Sequence, residues 1–178
     1  MTDTETETFE TVRYTADVVI LTPGGDALLI ERDWPPFEGH WACAGGHVDP
    51  GETSREAAAR ELAEETGVHV AAGDLRQIGV WDQPGRDPRG RYVTVAYLAV
   101  VPADTPIIAG DDARTARWWP LDNLPERLAF DHAQILSAAA REAAKDAHDQ
   151  SVNTTAHYLS PTLSAGQAHL TPEQESTR

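Results

Sequence analysis

Residues 45–68 read "GGHVDPGETSREAAARELAEETGV", and the reading of this stretch decides the fold. It sets Glu52, Glu56, Glu61, Glu64 and Glu65 against only Arg55 and Arg60. Thr53 followed by Glu56 is a capping-box pattern, and Gly67 stands where a left-handed C-terminal residue belongs. The spacing therefore predicts a helix from Thr53 to Thr66. At roughly 100° per residue, Glu61, Glu64 and Glu65 fall within about a 100° arc of one face. Like charges three and four apart each destabilise a helix by about 0.2–0.5 kcal/mol. One reading is a solvated acidic face. The other takes Arg60 as orienting Glu52, and the crowded carboxylates beside open backbone carbonyls as the oxygen set that a hard cation such as Mg²⁺ prefers.

Working outward, the 178 residues are enough for one domain with a proper core, and 40% are hydrophobic. The net charge of −15 repels a nucleic-acid backbone, so no nucleic-acid partner is expected. A small anionic substrate is compatible with that charge when metal ions carry the local attraction. Cys43 is the single cysteine, so there is no disulfide framework. The opening "MTDTETETFE" is acidic, the reverse of a signal peptide, and no apolar run approaches about 18 residues. These features predict a cytoplasmic protein with no membrane partner.

The flanking segments alternate between strands and turns. "TADVVILT" (15–22) and "DALLIERD" (26–33) are apolar runs joined at Pro23-Gly24-Gly25, a hairpin signal. "WACAGGHV" (41–48) reads as a short strand breaking into a glycine turn. "DLRQIGVWDQ" (74–83), "RYVTVAYLAVVPA" (91–103) and "ARWWPL" (116–121) follow as strands. The second of these is apolar at nearly every position, which predicts burial on both faces. Of Trp118 and Trp119, one is expected to face in and the other out. "DHAQILSAAAREAAKDA" (131–147) reads as a helix, with Ile135, Leu136 and Ala139 on one side. The expected organisation is a flexible acidic segment at 1–12, a folded domain at 13–147 and a polar tail at 148–178, ordered only if it docks.

Gly46, Glu52 and "RELAEETGV" (60–68) match the pattern G-x5-E-x7-R-E-U-x-E-E-x-G-U at all nine specified positions. In this the chain resembles the Nudix hydrolases. The resemblance implies an α/β fold, an α/β/α sandwich with a mixed β-sheet between helices, and hydrolysis of a nucleoside diphosphate linked to a moiety X. It implies Mg²⁺, or Mn²⁺ in its place, bound by Glu61, Glu64, Glu65 and the carbonyl of Gly45. Glu52 and Arg60 would hold the loop and helix in shape. Where relatives usually read "LPGG", this chain has Cys43 and Ala44, which removes a fixed φ ahead of the glycines. Cys43 is expected to be a small buried residue.

Outside that pattern, "PPFEGHWA", "RDPRG" (86–90), "AGDDA" (109–113) and "AFDH" (129–132) look like the ADP-ribose pyrophosphatase branch, in which homodimers are common. On this likeness the substrate is ADP-ribose or a relative, cleaved to AMP and a sugar phosphate. The alternatives are a triphosphate pyrophosphohydrolase that clears oxidised nucleotides, and a non-catalytic ADP-ribose sensor. Arg86 and Arg89 are candidates to hold phosphate or ribose, or else belong to a solvated turn paired with Asp82 and Asp87. Asp111 and Asp112 are turn-forming acids, or one of them, Asp112 ahead of Asp111, is a loop base or outer metal ligand, the alternative to Glu64 as general base. Asp131 reads as a helix N-cap, with His132 as a structural or rim residue. Trp34, Phe37, Trp41 and Trp81 are core aromatics or candidates to stack on adenine. His47 is a strand-end residue or a substrate contact.

Overall fold

A computed structural model describes residues 9–110 and 113–158. Seven strands form one mixed sheet: β1 (Arg13–Leu21), β2 (Asp26–Arg32), β3 (Trp41–Ala42), β4 (Ala44–His47), β5 (Arg76–Trp81), β6 (Tyr92–Val100) and β7 (Ala113–Pro120). The two helices are α1 (Ser54–Thr66) and α2 (His132–Tyr158). β1 runs parallel to β6 from Arg13↔Tyr92 to Leu21↔Val100 and antiparallel to β4 and, at Leu21↔Ala27, to β2. The remaining pairs, β2 with β3 and β7, and β5 with β6, are antiparallel.

The long apolar strands are buried on both faces because each face has its own core. Ala16, Val18, Ile20, Val95 and Tyr97 pack with Ala57, Ala58 and Leu62 of α1. Val19, Leu21, Ala96 and Leu98 pack on the opposite face with Ile135, Leu136 and Ala139 of α2. This is the expected α/β/α sandwich. Two covered faces also explain the tryptophan pair on β7: Trp118 packs into the α1 core and Trp119 into the α2 core, so neither faces out. Trp41 packs edge-on against Trp119 at 5.0 Å and Trp81 joins the same core, so both are core aromatics.

The ends of α1 follow the sequence. The Thr53 side chain accepts from Glu56 N–H, Glu56 returns the bond to Thr53 N–H, and Gly67 closes the helix at φ 68°. The glycine pair departs from expectation. Gly45 and Gly46 lie within β4, opposite Asp17 and Ala16 of β1, rather than in a turn. A Cβ at Gly45 would meet the Ala16 carbonyl oxygen at 2.4 Å, and one at Gly46 would meet Glu61 Oε1 at 2.2 Å. Close approach, not turning, demands these glycines. Cys43 is buried as expected, and burial holds its thiol well above the usual range.

The chain divides into two compact units, one to Ala143 and one from Ala144. α2 runs to Tyr158, past the expected end at 147, because "HDQSVNTTAHY" has no proline or glycine to stop it. No helix among the described residues is long and apolar enough to cross a membrane.

Candidate functional site

A cavity of about 400 Å³ opens between β1, β4, α1 and the loops before β6 and α2. Glu61 and Glu65, one turn apart on α1, form one wall with Gly45, Gly46, His47 and Asp49. Arg32, Arg86, Arg89, Tyr92 and Phe130 line the same cavity, with Asp17 and His132 also exposed to it. The cavity thus brings carboxylates together with guanidinium and aromatic groups.

Arg60 organises the acidic side. Its Nη2 donates to Glu52 Oε1 at 2.7 Å and to the His47 carbonyl at 3.0 Å; its Nε reaches Glu52 Oε2 at 3.3 Å. Its Nη1 donates to Glu61 Oε1 at 2.9 Å and Glu64 Oε2 at 3.0 Å. Arg60 and Glu52 therefore meet as the sequence predicts, but the three glutamates do not share one environment. Glu64, with a side chain 59% exposed, turns to Arg60 and does not line the cavity. Glu65 Oε2 accepts from Gly45 N–H at 2.9 Å.

Burial pushes Glu65 up to about 8, with the Glu61 and Asp17 charges adding to the effect against the Gly45 N–H bond. Burial also raises Glu61, against its bonds to Arg60. Two adjacent carboxylates whose charge is costly without a counter-ion make a donor set that fits a hard divalent cation. Among the described residues, no three His, Cys, Asp or Glu side chains are arranged to hold a metal ion. Mg²⁺ commonly needs only one or two carboxylates, with water and substrate phosphate completing its shell.

Among the arginines of the cavity, Arg86 is not paired with Asp82 or Asp87. Its Nε and Nη2 donate to Asp131 at 2.9 and 2.6 Å, with the two side chains only 5% and 10% exposed. The Asp131 carboxylate is therefore committed to Arg86, and it is the Asp131 carbonyl that accepts Gln134 N–H at the start of α2. Arg89 does pair with Asp87, through Nη2 at 2.7 Å and Nε at 3.0 Å. The Arg89 guanidinium sits 4.8 Å from the Tyr92 ring centroid and 5.7 Å from that of Phe130. Arg32 covers the same Phe130 ring at 4.9 Å. Trp34 is 62% exposed and lines a smaller neighbouring cavity with Arg32 and Glu65. Phe37 packs edge-on against Phe130 at 4.8 Å and is not among the lining residues. His47 is exposed and lines the cavity, its ring 5.8 Å from Tyr92. Asp111 and Asp112 lie outside the described residues.

Sequence reasoning missed Asp17, Arg32, Tyr92 and Phe130 as cavity residues. Asp17 and Tyr92 are hidden in apolar strands. Phe130 carried one signal, its place in "AFDH", and it adopts a left-handed φ of 50°.

The model of the NUDIX domain matches residues 11–144. The chain belongs to the Nudix family. Among curated Nudix relatives, an ADP-ribose pyrophosphatase from Methanocaldococcus jannaschii is 42% identical over 117 residues, covering 66% of this chain and 67% of that protein. A MutT/nudix family protein from Enterococcus faecalis superposes with a TM-score of 0.71 at 32% identity, over 79% of this chain and 65% of that one. The NUDIX domain of Shewanella oneidensis NrtR, solved with ADP ribose, gives a TM-score of 0.68 at 31% identity, over 75% and 90%. The chain spans 67% of that pyrophosphatase, 65% of the Enterococcus protein, and less than half the length of other curated relatives it matches, such as an NAD-capped RNA hydrolase from Stutzerimonas stutzeri at 39%.

Proposed function

We propose that this Nudix protein hydrolyses the diphosphate bond of ADP-ribose or a related nucleoside diphosphate-X, releasing AMP and a sugar phosphate. The observation that supports the reading is one cavity lined by the largely buried carboxylates of Glu61 and Glu65 together with Arg89, Tyr92 and Phe130. Glu61 and Glu65 would hold Mg²⁺, with Mn²⁺ as its substitute. When bound, the metal neutralises diphosphate charge and lowers the pKa of a coordinated water. The chain's own residues then do the rest. Arg60, tied to Glu52, fixes Glu61 in position. Arg89, held by Asp87, presents positive charge to the substrate's phosphates. Glu64 and the acids at 111 and 112 are the candidates to take the proton from water, and Glu64 would have to leave Arg60 and turn toward the cavity to do so.

Two observations favour a second reading, ligand sensing without turnover. Glu64 points away from the cavity, and the NrtR domain that this fold resembles was solved with ADP ribose. A product assay separates the readings. Wild type and Glu64→Gln are compared at fixed Mg²⁺ on ADP-ribose, NADH, a diadenosine polyphosphate, 8-oxo-dGTP and dGTP. AMP release from ADP-ribose that collapses in the variant supports the proposal. Turnover of triphosphates alone would replace it with nucleotide clearance. No turnover, with ADP-ribose still raising the melting temperature, would support sensing.

A further inference from the structure

The cavity floor holds three side chains that the diphosphate chemistry leaves free: Asp17 on β1, His132 at the start of α2, and Arg86 in the loop before β6. Each is at least nine-tenths buried, with 10%, 4% and 5% of its side chain exposed. Their other bonds fix what each still offers. Cys43 N–H donates to His132 Nδ1 at 2.9 Å, so Nδ1 is bare and the neutral ring carries its hydrogen on Nε2. Arg86 commits Nε and one Nη2 hydrogen to Asp131, which leaves the second Nη2 hydrogen unspent. Asp17 Oδ2 accepts from the Thr94 hydroxyl at 2.8 Å.

The three groups face one another without closing. His132 Nε2 lies 3.8 Å from Asp17 Oδ1, and Arg86 Nη2 lies 3.9 Å from Asp17 Oδ2, both too long for direct hydrogen bonds. One carboxylate acceptor and two N–H donors therefore border a common space. Their charges select its occupant. Asp17 repels an anion, while Arg86 and the imidazole N–H repel a cation. A hydroxyl, which donates one hydrogen bond and accepts two, matches all three.

We infer that Asp17, His132 and Arg86 form a hydroxyl-reading subsite that takes a ribose hydroxyl of the substrate. The inference rests on the nucleoside diphosphate-X reading above and assigns it a sugar site. The location suits a sugar joined to a bound phosphate. Asp17 pairs with Gly45 across β1 and β4, and Gly45 N–H is bonded to Glu65, so the subsite adjoins the carboxylate wall. The hydroxyl has two sources, the adenosine ribose and the terminal ribose, and the test separates them.

The experiment measures kcat/KM for wild type and Asp17→Asn on ADP-ribose and on analogues lacking single hydroxyls of either ribose. In wild type, loss of the hydroxyl that is read should lower kcat/KM about ten- to a hundredfold, because buried donors and an acceptor lose their partner. In Asp17→Asn, where the carboxylate is gone but the His132 and Arg86 donors remain, the same deletion should cost at least about threefold less than in wild type. The sensitive analogue identifies which ribose is read. Analogues that all lie within about threefold of ADP-ribose in wild type would overturn the inference. So would a deficit that persists undiminished in Asp17→Asn. If that variant melts out, His132→Phe, which removes the Nε2–H donor, takes its place under the same criterion. Flat ratios with good ADP-ribose turnover sink only this inference, whereas turnover of triphosphates alone sinks the diphosphate-X reading and the subsite together.

Discussion

Arg86→Met tests whether the arginine is part of the framework as well as the cavity. Methionine keeps most of the side-chain length and removes every N–H donor. Asp131 then loses a bidentate partner at 2.6 and 2.9 Å, while Asp17 loses its nearest guanidinium and keeps Thr94. Both acids are 10% exposed, so water does not replace the lost partner. Breaking a buried pair in this way costs about 3–5 kcal/mol. For a chain of this size that corresponds to a fall in melting temperature of roughly 6–20 °C. Urea unfolding followed by circular dichroism, with an unchanged m-value, measures the loss. Arg86→Met combined with Asp131→Asn removes the stranded charge and should recover a large part of it, with Asp17 accounting for the remainder. A loss below about 1 kcal/mol, the scale of a surface pair, would refute the reasoning. So would a double variant less stable than the single one.

Three other outcomes are expected. Gly46→Ala should weaken Mg²⁺ binding about ten- to a hundredfold in calorimetric titration, since the added carbon would sit 2.2 Å from Glu61 Oε1 and expel that carboxylate. Thr53→Ala should lower stability by about 1 kcal/mol, or roughly 2–4 °C, by deleting the reciprocal cap of α1. Burial lowers the His132 pKa against the pull of Asp17 and Asp131, so near and below the ordinary histidine value of 6.5 the folded state binds fewer protons there than the unfolded chain. Stability should therefore fall as pH drops from 6.5 toward that lowered value. A melting series should show a smaller drop in His132→Gln than in wild type.

What could be read from the sequence was local. The capping residues around α1, the hairpin at Pro23-Gly24-Gly25 and the doubly apolar run of β6 each carry their signal within a few neighbours. Spacing brought Arg60 to Glu52, but could not show that Arg60 also draws Glu64 out of the cavity. The Gly45–Gly46 pair gives the same signature for a turn as for close packing, and only the neighbouring β1 and α1 decide between them. The Arg86–Asp131 pair joins residues from two separate loops, so local sequence favoured Asp82 and Asp87 for the arginine and a cap for the acid. Asp17 lies inside an apolar strand, between Ala16 and the Val18-Val19 pair, where nothing local hints at a cavity.

The parallel pairing of β1 with β6 bears on how the molecule forms. Every one of its partners, from Arg13↔Tyr92 to Leu21↔Val100, is roughly 80 positions away along the chain. The centre of the sheet therefore requires closure of a long loop before its contacts return any stabilisation. Until β6 is available, Val18 to Leu21 stand as an unsatisfied sticky edge, so refolding should be slow and its yield should drop at high concentration. The same event seats Asp17 against Thr94. Recovery of ligand binding during refolding should thus lag helix formation and keep time with the sheet.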